Sequence, residues 1–262
     1  MSPDRGEVVE EIVSEYFAPP RPHVVAHRGL AIAAPENTLG AFAAALECGA
    51  THLETDARTS RDGVAMLVHD SDLVRLAGRH FRVGDLTAAQ LCALDLGDGH
   101  RIITLAEALR VFPDSRFNID IKDAAAVVAV VAAVTEARAM TRVLIASFSE
   151  TRRRHAVALL PGVATSASAC RFAIALVLAK LGWLWALRRV LRTLDAVQVP
   201  ERAYNIRIAT PRVIRALRSA DVIVHIWTVN DPIEMCRLFD LGVDGIITDR
   251  PDLANHLNLR NS

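Results

Sequence analysis

Cysteine is scarce and scattered in this chain. Cys48, Cys92, Cys170 and Cys236 are its four cysteines, and no two form a CxxC pair. That spacing disfavours both a disulfide framework and a thiolate zinc site, and fits reduced thiols in a cytoplasmic protein. Net charge is absent too, because 30 basic and 30 acidic residues cancel. With no basic stripe, the chain is not expected to capture nucleic acid. No apolar run reaches the roughly 20 residues needed to span a bilayer. The nearest approach, FAIALVLAKLGWLWAL (172–187), is 16 residues long and contains Lys180. The N-terminal stretch MSPDRGEVVEEIVSEYF is acidic and lacks the apolar core of a signal peptide. It is expected to form a short helix from about Gly6 to Phe17, ended by Pro19 and Pro20. Residues 1–22 then read as a helical extension, and 23–262 as a single domain.

What is present is apolar mass in a regular alternation. Hydrophobic residues make up 52% of the chain and charged residues 23%, enough for a substantial core. Short β-type runs alternate with alanine- and leucine-rich helical stretches. The strand candidates are HVVAHRG (23–29), HLETDAR (52–58), VAMLVHD (64–70), RFNIDIK (116–122), RVLIASF (142–148), GVATSAS (162–168), AVQVPE (196–201), VIVHIWTV (222–229) and DGIITD (244–249). Most are apolar on both faces, as parallel strands under helices are. This pattern predicts an α/β fold, a (β/α)8 barrel, whose sites lie at the C-terminal ends of the strands.

One candidate is in excess of eight. VAMLVHD follows the preceding run after only SRDG, too short for a parallel crossover, and Asp62-Gly63 is a turn signal. The chain is therefore expected to make an antiparallel hairpin excursion after the second strand, which returns His69 to the level of Asp56. Two further stretches, Ser71 to about Ile103 and Ala169 to about Leu194, are long for plain connections and are expected as insertions at the C-terminal rim.

Chemistry concentrates at these strand ends. His27 and His69 each close an apolar run, and Glu54 and Asp56 lie between them within apolar flanks. Histidine moves protons near neutrality, paired carboxylates hold a hard divalent cation, and Arg28 can neutralise phosphate. Asn118, Asp120 and Lys122 fall on one side of their strand. The kit is that of metal-assisted phosphate-ester chemistry.

Taken in order, HRG, PENT, the Glu54/Asp56 pair, DG followed by LVHD, N-x-D-I-K, W-T-V-N and G-V-D-G-I-I-T-D-R-P resemble the glycerophosphodiester phosphodiesterases over about residues 23–254. The resemblance implies a TIM barrel that hydrolyses glycerophosphodiesters to glycerol 3-phosphate and an alcohol with Ca²⁺ or Mg²⁺. It maps His27 and His69 onto the acid–base pair. Asp120 departs from the family's usual glutamate in N-x-E-I-K and is one methylene shorter. On this reading Glu54, Asp56 and Asp120 hold the cation, while Arg28 and Lys122 meet the phosphate. Trp227 packs on the glycerol carbons. Glu36 either orients Arg28 or water near the metal, or caps the helix starting near Thr38.

The segment 171–192 supports two expectations. It is either a buried barrel helix or an exposed apolar helix beside the mouth, giving peripheral membrane contact. The second would favour a lysophospholipase D-type activity on lysophospholipids. A rival outside the enzymes is a lipid- or phosphate-binding barrel. The oligomeric state is not legible.

Overall fold

The computed structural model describes residues 15–203 and 206–258. Most of the helix expected at 6–17 lies outside the described residues; Glu15 and Tyr16 are helical. The first half runs β1 (His23–His27), α1 (Leu39–Glu47), β2 (His52–Thr59), β3 (Ala65–Leu67), β4 (Asp72–Leu73), α2 (Val74–Ala77), β5 (Arg79–Arg82), α3 (Ala88–Cys92), α4 (Leu105–Val111), β6 (Phe117–Ile121) and α5 (Ala126–Glu136). The second runs β7 (Val143–Ala146), α6 (Glu150–Leu159), β8 (Ala164–Thr165), α7 (Ala169–Leu181), α8 (Leu184–Leu191), β9 (Ala196–Pro200), β10 (Arg202–Ala203), β11 (Ile206–Arg207), α9 (Pro211–Arg218), β12 (Ile223–Trp227), α10 (Pro232–Asp240), β13 (Gly245–Thr248) and α11 (Pro251–Asn258).

Eight strands pair in parallel in the order β8-β7-β6-β2-β1-β13-β12-β9. A parallel bridge between Ser166 and Ala196, with Asp195 N donating to Thr165 O at 3.0 Å, joins the two ends. The result is the (β/α)8 barrel that the alternation predicts. Strand residues facing outward meet the helices in two apolar clusters, one around Phe42, Leu53 and Phe117, the other around Val197, Val224 and Ile246. Thr38, Thr104, Ser149, Thr210 and Asp231 cap the helices that follow them. Each cap contributes about 1 kcal/mol and marks where a rim loop ends.

The ninth candidate is β3. It pairs antiparallel with the overhanging end of β2, Thr59 against Ala65 and Ala57 against Leu67. Gly63 takes a positive φ of 83° at the turn, and Val68 N then donates to Asp56 O at 3.1 Å. The chain beyond builds a small annex of its own, with Met66, Leu73, Val83, Leu91 and Ile102 as its core.

The segment 172–187 is not one buried helix. Gly182, with φ 77°, breaks it into α7 and α8. Ala175, Ala179, Leu187 and Leu191 face inward, whereas Val177, Trp183 and Trp185 are exposed. The reading of this stretch as a buried barrel helix is therefore corrected. On α7 the fully buried positions are the alanines Ala175 and Ala179, whereas Ile174, Val177 and Leu181 are left exposed.

Three histidines plug the opposite, N-terminal end of the barrel. His23 and His225 both pair with Gly245, where an added Cβ would lie 2.6 Å from His23 O. His23 Nε2 donates to Pro19 O at 3.1 Å, so His23 Nδ1 accepts from His225 Nε2 at 3.0 Å. His52 Nε2 donates to Tyr16 O at 3.0 Å. This pairing is one of neutral imidazoles, since a proton on His23 Nδ1 would force the His225 proton onto its own Nδ1, which has no partner. Burial lowers the pKa of all three, that of His52 from 6.5 to about 3. The unfolded chain binds these protons more readily, so this stability is complete above pH 6.5 and is lost as pH falls toward 3. The cost is about 1.4 kcal/mol per pH unit for each histidine kept neutral. Groups whose pKa the fold raises oppose this, chiefly Glu54, which burial with Asp56 alongside raises to about 8, together with His27, Asp195 and Glu201. Thermal melts at about pH 7 and about pH 5 should show a drop of many degrees on acidification. A flat profile would remove the plug from the account.

Candidate active site

Parallel register assembles the rim. His27 pairs with Glu54, Glu54 with Asn118, and Asp56 with Asp120. Side chains alternate along a strand, so one histidine, three carboxylates and an amide share the inner face. With His69, Arg28, Lys122, Phe148 and Trp227 they line a cavity of about 380 Å³. Eight of the nine side chains singled out in the sequence meet there.

The turn after β1 explains HRG. Arg28 adopts φ 58°, and its backbone N–H reaches Glu54 O at 3.0 Å and Glu54 Oε2 at 3.1 Å. Gly29 follows with φ 85°, and an added Cβ would lie 2.6 Å from the Ala41 backbone. Only glycine fits both constraints. Arg28 Nε then sits 2.9 Å from Asp56 Oδ2, and Asn37 Nδ2 donates to the same oxygen at 3.2 Å.

Each histidine has an aspartate behind it, and neither partner was singled out from the sequence. His27 Nδ1 hydrogen-bonds Asp249 Oδ1 at 2.6 Å, and Asn230 Nδ2 donates to Asp249 Oδ2 at 2.7 Å. His69 Nδ1 hydrogen-bonds Asp70 Oδ1 at 2.7 Å. These bonds fix the ring orientation and leave Nε2 free for chemistry. Burial disfavours charge on His27, but the Asp249 bond and the Glu54 charge outweigh it and raise its pKa. The signal for Asp70 was its place after His69 in LVHD. Asp249 closes the last strand motif, ITD, but nothing local says which histidine it meets.

Glu36 does not line the cavity. It accepts from Arg28 Nη1 at 3.2 Å and from Arg75 Nη1 and Nη2 at 2.9 and 2.7 Å. Arg75 Nε in turn donates to Asp70 Oδ2 at 2.6 Å. Glu36 is thus the strut between the Arg28 turn and the His69 loop. Its capping alternative is corrected, because Thr38 caps α1 by accepting from Ala41 N. Trp227 donates Nε1–H to Gln198 O at 3.0 Å and meets Phe148 edge-on at 6.0 Å between centroids. Together they form an apolar wall.

The carboxylate wall has unsettled electrostatics. Lys122 Nζ lies 2.8 Å from Asp56 Oδ1 and 2.6 Å from Asp120 Oδ2. Burial opposes the charge on Asp56, but Lys122 and Arg28 lower its pKa nonetheless. At Glu54 burial, with Asp56 nearby, outweighs the lowering effect of His27 and Arg28 and raises the carboxyl to about 8. Asp120 Oδ1 and Asn118 Oδ1 are buried without a hydrogen-bond partner. With Lys122 between two of the carboxylates, no group of three or more His, Cys, Asp or Glu among the described residues is arranged to hold a metal as it stands. In charge and donor type the wall nevertheless fits a hard cation: oxygen donors, two of them orphaned, and one carboxyl that burial keeps from ionising.

These features define a class: a (β/α)8 barrel with a pocket at its C-terminal rim that sets charged side chains against an apolar wall, equipped for an anionic ester. Comparison with known proteins makes it specific. The glycerophosphoryl diester phosphodiesterase family model matches residues 27–253. A Mycobacterium tuberculosis protein named "Probable glycerophosphodiester phosphodiesterase 2" is 42% identical over 231 residues, 87% of this chain and 88% of its own. The crystal structure of glycerophosphodiester phosphodiesterase from Agrobacterium tumefaciens superposes with a TM-score of 0.75 at 25% identity, covering 90% of this chain and 99% of that one. An Oleispira antarctica phosphodiesterase, solved with the product sn-glycerol-3-phosphate, shares the fold at a TM-score of 0.73 and 23% identity, over 90% and 96% of the two chains. The chain belongs to the glycerophosphoryl diester phosphodiesterase family, and it is an enzyme, a phosphoric diester hydrolase.

Proposed function

We propose that the protein hydrolyses glycerophosphodiesters to glycerol 3-phosphate and an alcohol, with His27 and His69 as the acid–base pair. The single observation that carries this reading is two aspartate-backed histidines facing one cavity with cationic side chains beside it. Arg28 and Lys122 meet the phosphate, and Trp227 with Phe148 covers the glycerol carbons. One imidazole takes the proton of the attacking water, or of the glycerol 2-hydroxyl whose cyclic phosphate a water then opens, as the attacking oxygen bonds to phosphorus. The bond from phosphorus to the alcohol oxygen then breaks, and the other imidazole protonates that oxygen. Asp249 favours the charged form of His27, which suits it to the donor role. Glu54, Asp56 and Asp120, with Asn118 beside them, would hold Ca²⁺ or Mg²⁺. When bound, that ion supplies charge for the phosphoryl oxygens and fixes the ester's orientation.

The apolar α7–α8 hairpin supports a second reading. Ala169 and Phe172 at the start of α7 line the cavity, so an acyl chain leaving the mouth would meet apolar surface. That favours lysophospholipids as substrates. Phosphorus NMR on a mixture of glycerophosphocholine and lysophosphatidylcholine separates the two. Glycerol 3-phosphate alone supports the first reading, lysophosphatidic acid alone the second, and no product from either contradicts both.

Asp120 tests how the wall is built. Asp120→Glu should retain activity, within about tenfold of the parent, with an altered preference between Ca²⁺ and Mg²⁺, because the charge is kept and the reach lengthens. Complete loss in steady-state assays would show that the shorter arm, held by Lys122, is built into the geometry.

A further inference from the structure

On a helix packed against a barrel, the outward stripe is ordinarily polar. On α7 it is Cys170, Ala173, Ile174, Val177 and Leu181, spaced three or four apart and all apolar. After Gly182 the chain presents Trp183, 61% exposed, Leu184, and Trp185, 80% exposed. A contiguous patch of this kind marks a contact surface. The inner face of the hairpin is already used, against α9 and the barrel.

The charge around the patch is of one sign. Residues 169–194 contain no aspartate or glutamate, although the whole chain is neutral. Lys180, Arg188, Arg189 and Arg192 are exposed beside the apolar stripe. On the adjacent α9, Arg212, Arg215 and Arg218 form a second exposed row. Among the described residues none of these seven pairs with a carboxylate. Arg171 differs, because it is tied to Glu150 and to Val190 O.

We propose that the α7–α8 hairpin docks the enzyme on the surface of a bilayer containing anionic phospholipid. Trp183, Trp185 and the apolar stripe enter the interface, and the arginine rows meet lipid phosphates. No helix among the described residues is long and apolar enough to cross a membrane, so the hairpin lies on the surface. A second copy of this chain is the poorer occupant, since it would set two like-charged rows against each other. Phe172 places the cavity mouth at the edge of the docked face. The inference goes beyond the proposed reaction, since it concerns where the enzyme works rather than which bond it breaks.

The test is co-sedimentation of the full chain with vesicles of phosphatidylcholine alone and of phosphatidylcholine with phosphatidylglycerol. Binding to the anionic vesicles should be about tenfold tighter or more, weaken with salt, and shift tryptophan emission to the blue. The double variant Trp183→Ser, Trp185→Ser should lose that binding while keeping its melting curve and its turnover of glycerophosphocholine. An inactive protein that still binds vesicles would overturn the proposed reaction and leave the docking surface standing. Failure to bind either vesicle, or equal binding by the variant, would overturn the docking surface. A dimer that dissociates in the variant, without vesicle binding, would assign the patch to a second copy.

Discussion

His27→Ala and His69→Ala should each lower turnover of glycerophosphocholine by about 10³-fold or more while leaving the circular dichroism melt unchanged. The expected effect is large because, in the proposed reaction, each imidazole serves a different proton and neither substitutes for the other. The fold should survive because both rings sit at the rim and touch the structure mainly through Asp249 and Asp70. Asp249→Asn and Asp70→Asn should fall between parent and alanine variants, because the amide leaves each ring in place but removes the negative charge beside it. Near-normal turnover in either alanine variant would remove that histidine from the chemistry.

Removing divalent ions should stop turnover as well, a loss of at least about 100-fold that Ca²⁺ or Mg²⁺ restores. The reason lies in Glu54, Asp120 and Asn118. Glu54 is buried against another carboxylate with its pKa raised to about 8, while Asp120 Oδ1 and Asn118 Oδ1 have no partner. Buried oxygens left this way are costly unless a cation meets them. A reading independent of activity is the melting temperature, which should rise when Ca²⁺ is added to the stripped protein. Glu54→Gln should abolish that rise. Full activity in a metal-free sample would contradict the three-carboxylate site, leaving Arg28 and Lys122 to neutralise the phosphate.

Much of this was readable in the chain because the fold repeats a local signal. Strands apolar on both faces, such as FNIDI and VLIA, announce a covered parallel sheet, and the period of two placed Glu54 with Asp56 and Asn118 with Asp120. SRDG betrayed the hairpin because so short a link cannot make a parallel crossover. What stayed hidden was pairing at long range. Asp249 reaches His27 only because β13 lies beside β1 in the closed barrel. Glu36, Arg75 and Asp70 meet because a rim loop folds back over its neighbour, a geometry with no sequence period. The α7–α8 stretch misled for a different reason. Apolar content predicts burial, but it does not say which face the small residues occupy, and here Ala175 and Ala179 take the inside.

The most direct test of the central claim is phosphorus NMR of glycerophosphocholine turnover in ¹⁸O-water, run on the parent protein and on His27→Ala and His69→Ala. The account predicts glycerol 3-phosphate carrying ¹⁸O on phosphorus from the parent, and almost none from either variant. No glycerol 3-phosphate from the parent, ¹⁸O in the released choline, or equal product from the variants would contradict it.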